Sequence, residues 1–69
     1  MKHLLVLRTP TKDMPDLVTY VRVQDVIAIG VTPGRLYVEQ GSSSWEAQAT
    51  ADETADILQQ WREYLGSQS

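Results

Sequence analysis

Thr50-Ala51-Asp52-Glu53-Thr54-Ala55-Asp56-Ile57-Leu58-Gln59-Gln60-Trp61-Arg62-Glu63-Tyr64-Leu65-Gly66 has the pattern of a capped amphipathic helix. Thr50 and Glu53 stand at capping-box spacing, at which a hydroxyl and a carboxylate take up backbone N–H groups that a first helical turn leaves unpaired. Asp52, Glu53 and Asp56 crowd the positive end of the helix dipole, and Gly66 follows the last apolar residue, where a left-handed cap is expected. Ala51, Ala55, Leu58, Trp61 and Leu65 recur at intervals of three and four, with Ile57 and Tyr64 widening the stripe. Asp52, Glu53, Asp56, Gln59, Gln60 and Glu63 fall mostly on the opposite side. The helix therefore needs a partner surface, and the preceding chain reads as sheet.

Working back from Thr50, Ser44 to Ala49 alternates Trp45, Ala47 and Ala49 against polar neighbours and leads straight into the helix cap. Gly41-Ser42-Ser43 is a turn. Arg35 to Gln40 sets Leu36 and Val38 inward against Arg35, Tyr37 and Glu39. Thr32-Pro33-Gly34 has hairpin chemistry, with proline fixing φ at the second position and glycine accepting a positive φ at the third. Asp25 to Val31 alternates bulky Ile27, Ile29 and Val31 against the smaller Val26, Ala28 and Gly30, whose face leaves room for a close approach. Asp16 to Val23 is a further strand, with Leu17, Thr19, Val21 and Val23 on one face and Val18, Tyr20 and Arg22 on the other. Lys2 to Arg8 is apolar on both faces, as a covered strand is, yet it is also the expected open edge.

These segments predict an α+β fold: a small antiparallel sheet of four to five strands with one C-terminal α-helix on one face, as a single domain over residues 1–66 with a disordered tail at 67–69. The helix is expected to bury Trp61, Leu58 and Leu65 against Ile27, Ile29, Leu36, Val38, Trp45 and Ala47.

A chain of 69 residues buries only about 60% of the surface its unfolded form exposes, so its stability is small. With no cysteine there is neither a disulfide nor a thiolate metal site, which fits a cytoplasmic setting. The apolar runs are far shorter than the roughly 20 residues of a membrane span, and Met1 to Leu7 is too short for a signal peptide. Net charge is −3 but unevenly spread. Lys2, Arg8, Lys12, Arg22 and Arg35 against Asp13, Asp16 and Asp25 leave residues 1–35 at +2, while Arg62 against Glu39, Glu46, Asp52, Glu53, Asp56 and Glu63 leaves residues 36–69 at −5.

Catalysis needs a nucleophile beside a base or two facing carboxylates, and His3 is the only side chain that titrates near neutrality without a special environment. Asp13, Asp16 and Asp25 lack calcium-loop spacing, and Gly30, Gly34 and Gly41 form no phosphate cradle. The expectation is a non-enzyme with no cofactor and no metal. What remains is surface. A single helix covers one face of such a sheet, and Leu5, Leu7, Val18, Tyr20, Val26 and Tyr37, or their neighbours of opposite parity, are left to face away from it, which marks an interaction site. The loop Thr9 to Pro15 is longer than a tight hairpin needs and exposes Met14, with Arg8 and Lys12 as charges whose reversal would leave stability within about 0.5 kcal/mol. The candidate partner-binding residues are Arg8, Lys12, Met14, Val18, Tyr20, Arg22 and Tyr37. A basic, aromatic sheet face built from the same arginines and tyrosines is the nucleic-acid alternative, opposed by a pI of about 4.8. A homodimer is the third.

The half-chain Val21 to Leu65 carries a run of Val23, Val26, Ile27 and Ile29, then Leu36 and Val38, then Trp45, then the capped helix. In this it resembles the small flagellar and swarming-motility regulatory proteins, and it is similar in size and style to phage-encoded inhibitors of host RNA polymerase. The resemblance implies a non-enzymatic regulator that acts through protein contact, with RNA polymerase as a partner. Lys2 to Pro15 lies outside the resemblance.

Overall fold

The computed structural model describes residues 4–67. Lys2 and His3, and residues 68–69 of the expected tail, lie outside the described residues. Strands β1 (Leu4–Arg8), β2 (Val18–Arg22), β3 (Ala28–Thr32), β4 (Arg35–Gln40) and β5 (Ser43–Gln48) precede helix α1 (Ala51–Ser67), with a single 3-10 turn at Val23–Asp25. All pairings are antiparallel, and the strand order is β2-β1-β5-β4-β3.

The turns follow from local chemistry. Pro33 and Gly34 join β3 to β4 across the pair Thr32 and Arg35, with Gly34 at a φ of +80°. Gly41, at a φ of +48°, turns β4 into β5. The capping box forms as the spacing predicts: the Thr50 N–H donates to Glu53 Oε1 at 2.9 Å and the Glu53 N–H to Thr50 Oγ1 at 3.2 Å. Gly66 departs from expectation, since the helix runs on through Ser67 and Gly66 has no positive φ. Ser67 Oγ donates to the Tyr64 carbonyl at 2.8 Å instead.

Strand order was not legible locally. The first strand is internal, between β2 and β5, and the open edges are β2 and β3. The β1–β5 junction is narrow, a register of one pair, Arg8 with Gln48, so the β1–β2 hairpin and the β3–β5 meander overlap end to end. In a flat sheet with that stagger, Arg22 and Ala28 would stand about 30 Å apart, whereas six residues reach about 20 Å. The sheet must therefore coil, and the connection folds over its concave face with Val23 and Val26 buried. Arg22 Nε holds Asp25 Oδ2 at 2.9 Å across this turn.

One face of the sheet is the core: Leu5, Leu7, Val21, Leu36, Val38 and Ala47, closed by Val23, Val26, Ala49 and Ile57. Helix α1 lies on this face but is turned from the expected orientation. Ile57 is its buried residue, and Trp61 and Tyr64 pack half-buried against the core. Leu58 is half-buried, Leu65 is 47% exposed, and Ile27, expected beneath the helix, is 63% exposed. Ile57 and Leu58 are neighbours, separated by about 100° around the helix axis, so the sequence carries two apolar stripes, of which the Ile57 stripe faces the core. Trp61 is not fully buried, though its indole Nε1 is sealed from solvent without a hydrogen-bond acceptor. No helix among the described residues is long and apolar enough to cross a membrane.

Candidate functional site

The convex face of the sheet, turned away from α1, holds most of the candidate residues. Register fixes its layout. Val6 lies directly opposite Tyr20, Leu4 opposite Arg22 and Arg8 opposite Val18, and all six share one face because side chains alternate strictly along a strand. Leu4, Val6, Val18 and Tyr20 are exposed, Tyr20 to 66%. Of the two parities left open for the face away from the helix, β1 presents Leu4 and Val6, while Leu5, Leu7 and Val26 belong to the core. The parity of Arg8 carried this information, since a charge at the end of β1 places its alternating neighbours on the solvent side.

Beyond this patch the same face becomes polar. Arg8, Gln48, Arg35 and Thr32 stand side by side across β1, β5, β4 and β3. The next row is Glu46, Tyr37 and Gly30. A Cβ on Gly30 would sit 3.6 Å from the Tyr37 Cβ, so the approach that the small residues of β3 permit is made by the chain's own tyrosine. The structure thus brings Val18, Tyr20 and Arg22 together with Leu4 and Val6, and leaves Tyr37 on the far side of a polar row.

The arginines of this face are all engaged. Arg8 reaches Glu53 Oε1 at 2.5 Å, Arg22 holds Asp25, and Arg35 pairs with Glu46. Arg8 thereby ties the end of β1 to the cap of α1. The Thr50 amide, and after it the Arg8 guanidinium, hold the Glu53 carboxyl below the ordinary glutamate range against the opposing effect of desolvation. Arg8 is therefore not the free charge that the sequence suggests, and its reversal would place a like charge beside Glu53. Among the described residues Lys12 and Arg62 have no ion pair.

The loop after β1 is closed on itself. Thr9 N–H donates to the Leu17 carbonyl at 3.0 Å, Thr11 N–H to the Met14 carbonyl at 2.9 Å, Met14 N–H to Thr11 Oγ1 at 2.9 Å, and Leu17 N–H to the Met14 carbonyl at 3.2 Å. Thr9 Oγ1 and Thr19 Oγ1 share a hydrogen bond of 2.6 Å at its base. These bonds present Lys12 and Met14 outward on an ordered turn, both exposed. Asp13, Asp16 and Asp25 form no cluster, and among the described residues no three histidine, aspartate or glutamate side chains come together in metal-binding geometry.

Compared with protein families, characterised proteins and solved structures, the chain matches none of them.

Proposed function

We propose that this protein is a non-enzymatic regulator that acts by binding another protein through the convex face of its β1–β2 hairpin. The observation that carries the reading is the apolar cluster of Leu4, Val6, Val18 and Tyr20, exposed on a face whose arginines are already paired with carboxylates. Apolar surface of this kind drives association, while neutralised arginines have little left to offer a phosphate backbone. Bacterial RNA polymerase is the first partner to test, on the resemblance to phage and bacterial regulators.

The test compares the parent with a Val6→Thr, Tyr20→Thr double variant. Threonine keeps strand propensity while removing the apolar patch. Capture from bacterial lysate followed by mass spectrometry is expected to recover RNA polymerase subunits with the parent and to lose them with the variant. Recovery of nucleic acid alone, or equal recovery by both proteins, defeats the reading. A sedimentation profile showing a dimer that the variant abolishes assigns the face to self-association instead.

A further inference from the structure

Away from the convex face, strand β3 and helix α1 enclose an open groove of 580 Å³ lined by Val31, Pro33, Ala51, Ala55 and Leu58, with Thr32, Gly34 and Thr54 completing it. That volume is ordinary for a ligand pocket, which runs to roughly 300–1,000 Å³. Its helix wall is the second apolar stripe of α1, the one not used for the core. Its other wall is an open sheet edge.

Three properties of that edge bear on what fills the groove. First, β3 pairs with β4 alone, and across a two-residue turn the flanking pair Thr32 and Arg35 exchanges both hydrogen bonds, as then do Gly30 with Tyr37 and Ala28 with Glu39. Ile29 and Val31 therefore aim their N–H and C=O groups away from β4. Second, the side chains of Ile29 and Val31 lie on the same face as the helix, half-buried and 51% exposed respectively, so a strand added here would place alternate side chains against Ala55 and Leu58. Third, Ala28-Ile29-Gly30-Val31-Thr32 has neither the charges nor the prolines that usually protect an exposed edge, and the doubling of Ile27 and Ala28 against Glu39 lies at the end of the strand away from the groove.

Charge selects the occupant. Arg62 follows Leu58 by one helical turn on the same stripe and is the one arginine among the described residues without an ion pair. A second copy of this chain brings no matching acid on its β3, because the nearest carboxylate in sequence, Asp25, is held by its own Arg22. Two copies joined here would also set two acidic helices side by side. We propose that the groove takes one extended peptide segment of a partner protein, hydrogen-bonded to the β3 edge, apolar at alternate positions and carrying a carboxylate toward Arg62. Main-chain bonds supply affinity and the alternate side chains supply selectivity in such strand addition. This surface is separate from the convex face.

Selection of short random peptides by display on the intact chain, followed by amide chemical-shift mapping, tests the proposal. Enriched sequences are expected to alternate apolar residues, to end in an acid, and to perturb residues 28–34 and 51–62. Ala55→Arg, at an exposed helical position, fills the groove and abolishes binding. Arg62→Glu weakens acidic peptides by about fivefold at low salt and enriches lysine-containing ones. Far-UV circular dichroism confirms that both variants are folded, and the Val6→Thr, Tyr20→Thr variant retains peptide binding. The proposal is overturned by an absence of enrichment, by shifts confined to β1 and β2, by peptide binding indifferent to Ala55→Arg, or by a dimer that Ala55→Arg dissociates.

Discussion

Truncating Ile57 to alanine tests which face of α1 holds the protein together. Ile57 is 6% exposed and is the buried residue of the helix, set among Val23, Val26 and the sheet core. Removing a buried isoleucine to alanine costs 2–5 kcal/mol depending on how far the site collapses, and a site under one helix on a single sheet relaxes partly, which places the cost at about 3 kcal/mol. The whole domain, at roughly 0.05–0.15 kcal/mol per residue, has about 4–10 kcal/mol to lose. With a urea slope near 1 kcal/mol per molar for so small a chain, the midpoint falls by about 3 M. Leu65→Ala, at a residue 47% exposed, costs below about 1 kcal/mol, and half-buried Leu58→Ala falls between the two. Urea titration followed by the fluorescence of Trp45 and Trp61 and by circular dichroism gives the three midpoints. If Leu58→Ala or Leu65→Ala costs as much as Ile57→Ala, the helix docks on its other stripe. The groove between β3 and α1 then does not exist.

Three further outcomes follow from single contacts. Arg8→Glu sets a like charge against Glu53 at the helix cap and lowers the urea midpoint by more than Lys12→Glu, which stays within about 0.5 kcal/mol of the parent in the same titration. Because the folded Glu53 carboxyl titrates below its unfolded value, its contribution is complete above the ordinary glutamate value of about 4.3 and is lost as pH falls through the folded value; stability measured down through this range falls less steeply in Glu53→Gln than in the parent. Gly34→Ala, at a φ of +80°, costs about 1–2 kcal/mol in thermal unfolding although nothing crowds its Cβ, whereas Gly66→Ala, within the helix, gains a few tenths.

What was legible in the sequence is what a few neighbouring residues decide. Thr50 and Glu53 form their reciprocal cap, Pro33-Gly34 turns β3 into β4, and β4 runs over the predicted span from Arg35 to Gln40. Strand order depended on contacts distant in sequence. An apolar Lys2 to Arg8 reads equally as an edge or an internal strand, and it is the pairing of β1 with both β2 and β5 that settles it. The docking face of α1 was hidden for a different reason. Ile57, Trp61 and Tyr64 form one stripe and Ala51, Ala55, Leu58 and Leu65 another, both with helical period, and the path from β5 through buried Ala49, whose N–H donates to the Gly34 carbonyl at 3.1 Å, sets which is turned inward. The candidate surface was half visible. Val18, Tyr20 and Arg22 were placed on one outward face, but their neighbours Leu4 and Val6 require the register of β1 on β2, and the engagement of Arg8 by Glu53 joins residues 45 positions apart.

Strand propensity alone does not account for the apolar patch. Valine and tyrosine favour strands even when exposed, and a cross-strand pair such as Val6 with Tyr20 contributes about 0.2–1 kcal/mol on its own. The convex face, however, provides its own control, because every strand of one sheet contributes to it under the same backbone constraints. On β3, β4 and β5 the outward residues are Ala28, Gly30, Thr32, Arg35, Tyr37, Glu39, Ser44, Glu46 and Gln48, with Tyr37 seated over Gly30. On β1 and β2 they are Leu4, Val6 and Arg8 with Val18, Tyr20 and Arg22, and the two arginines turn their charge to Glu53 and Asp25. If propensity were the only pressure, the five strands would have been equally apolar on this side. The change in character coincides with the single-pair junction between β1 and β5, where the hairpin extends past the meander. A hairpin that extends past the meander, apolar on its outward face and with its charges drawn to its margins, is what supports the proposal that this face binds another protein.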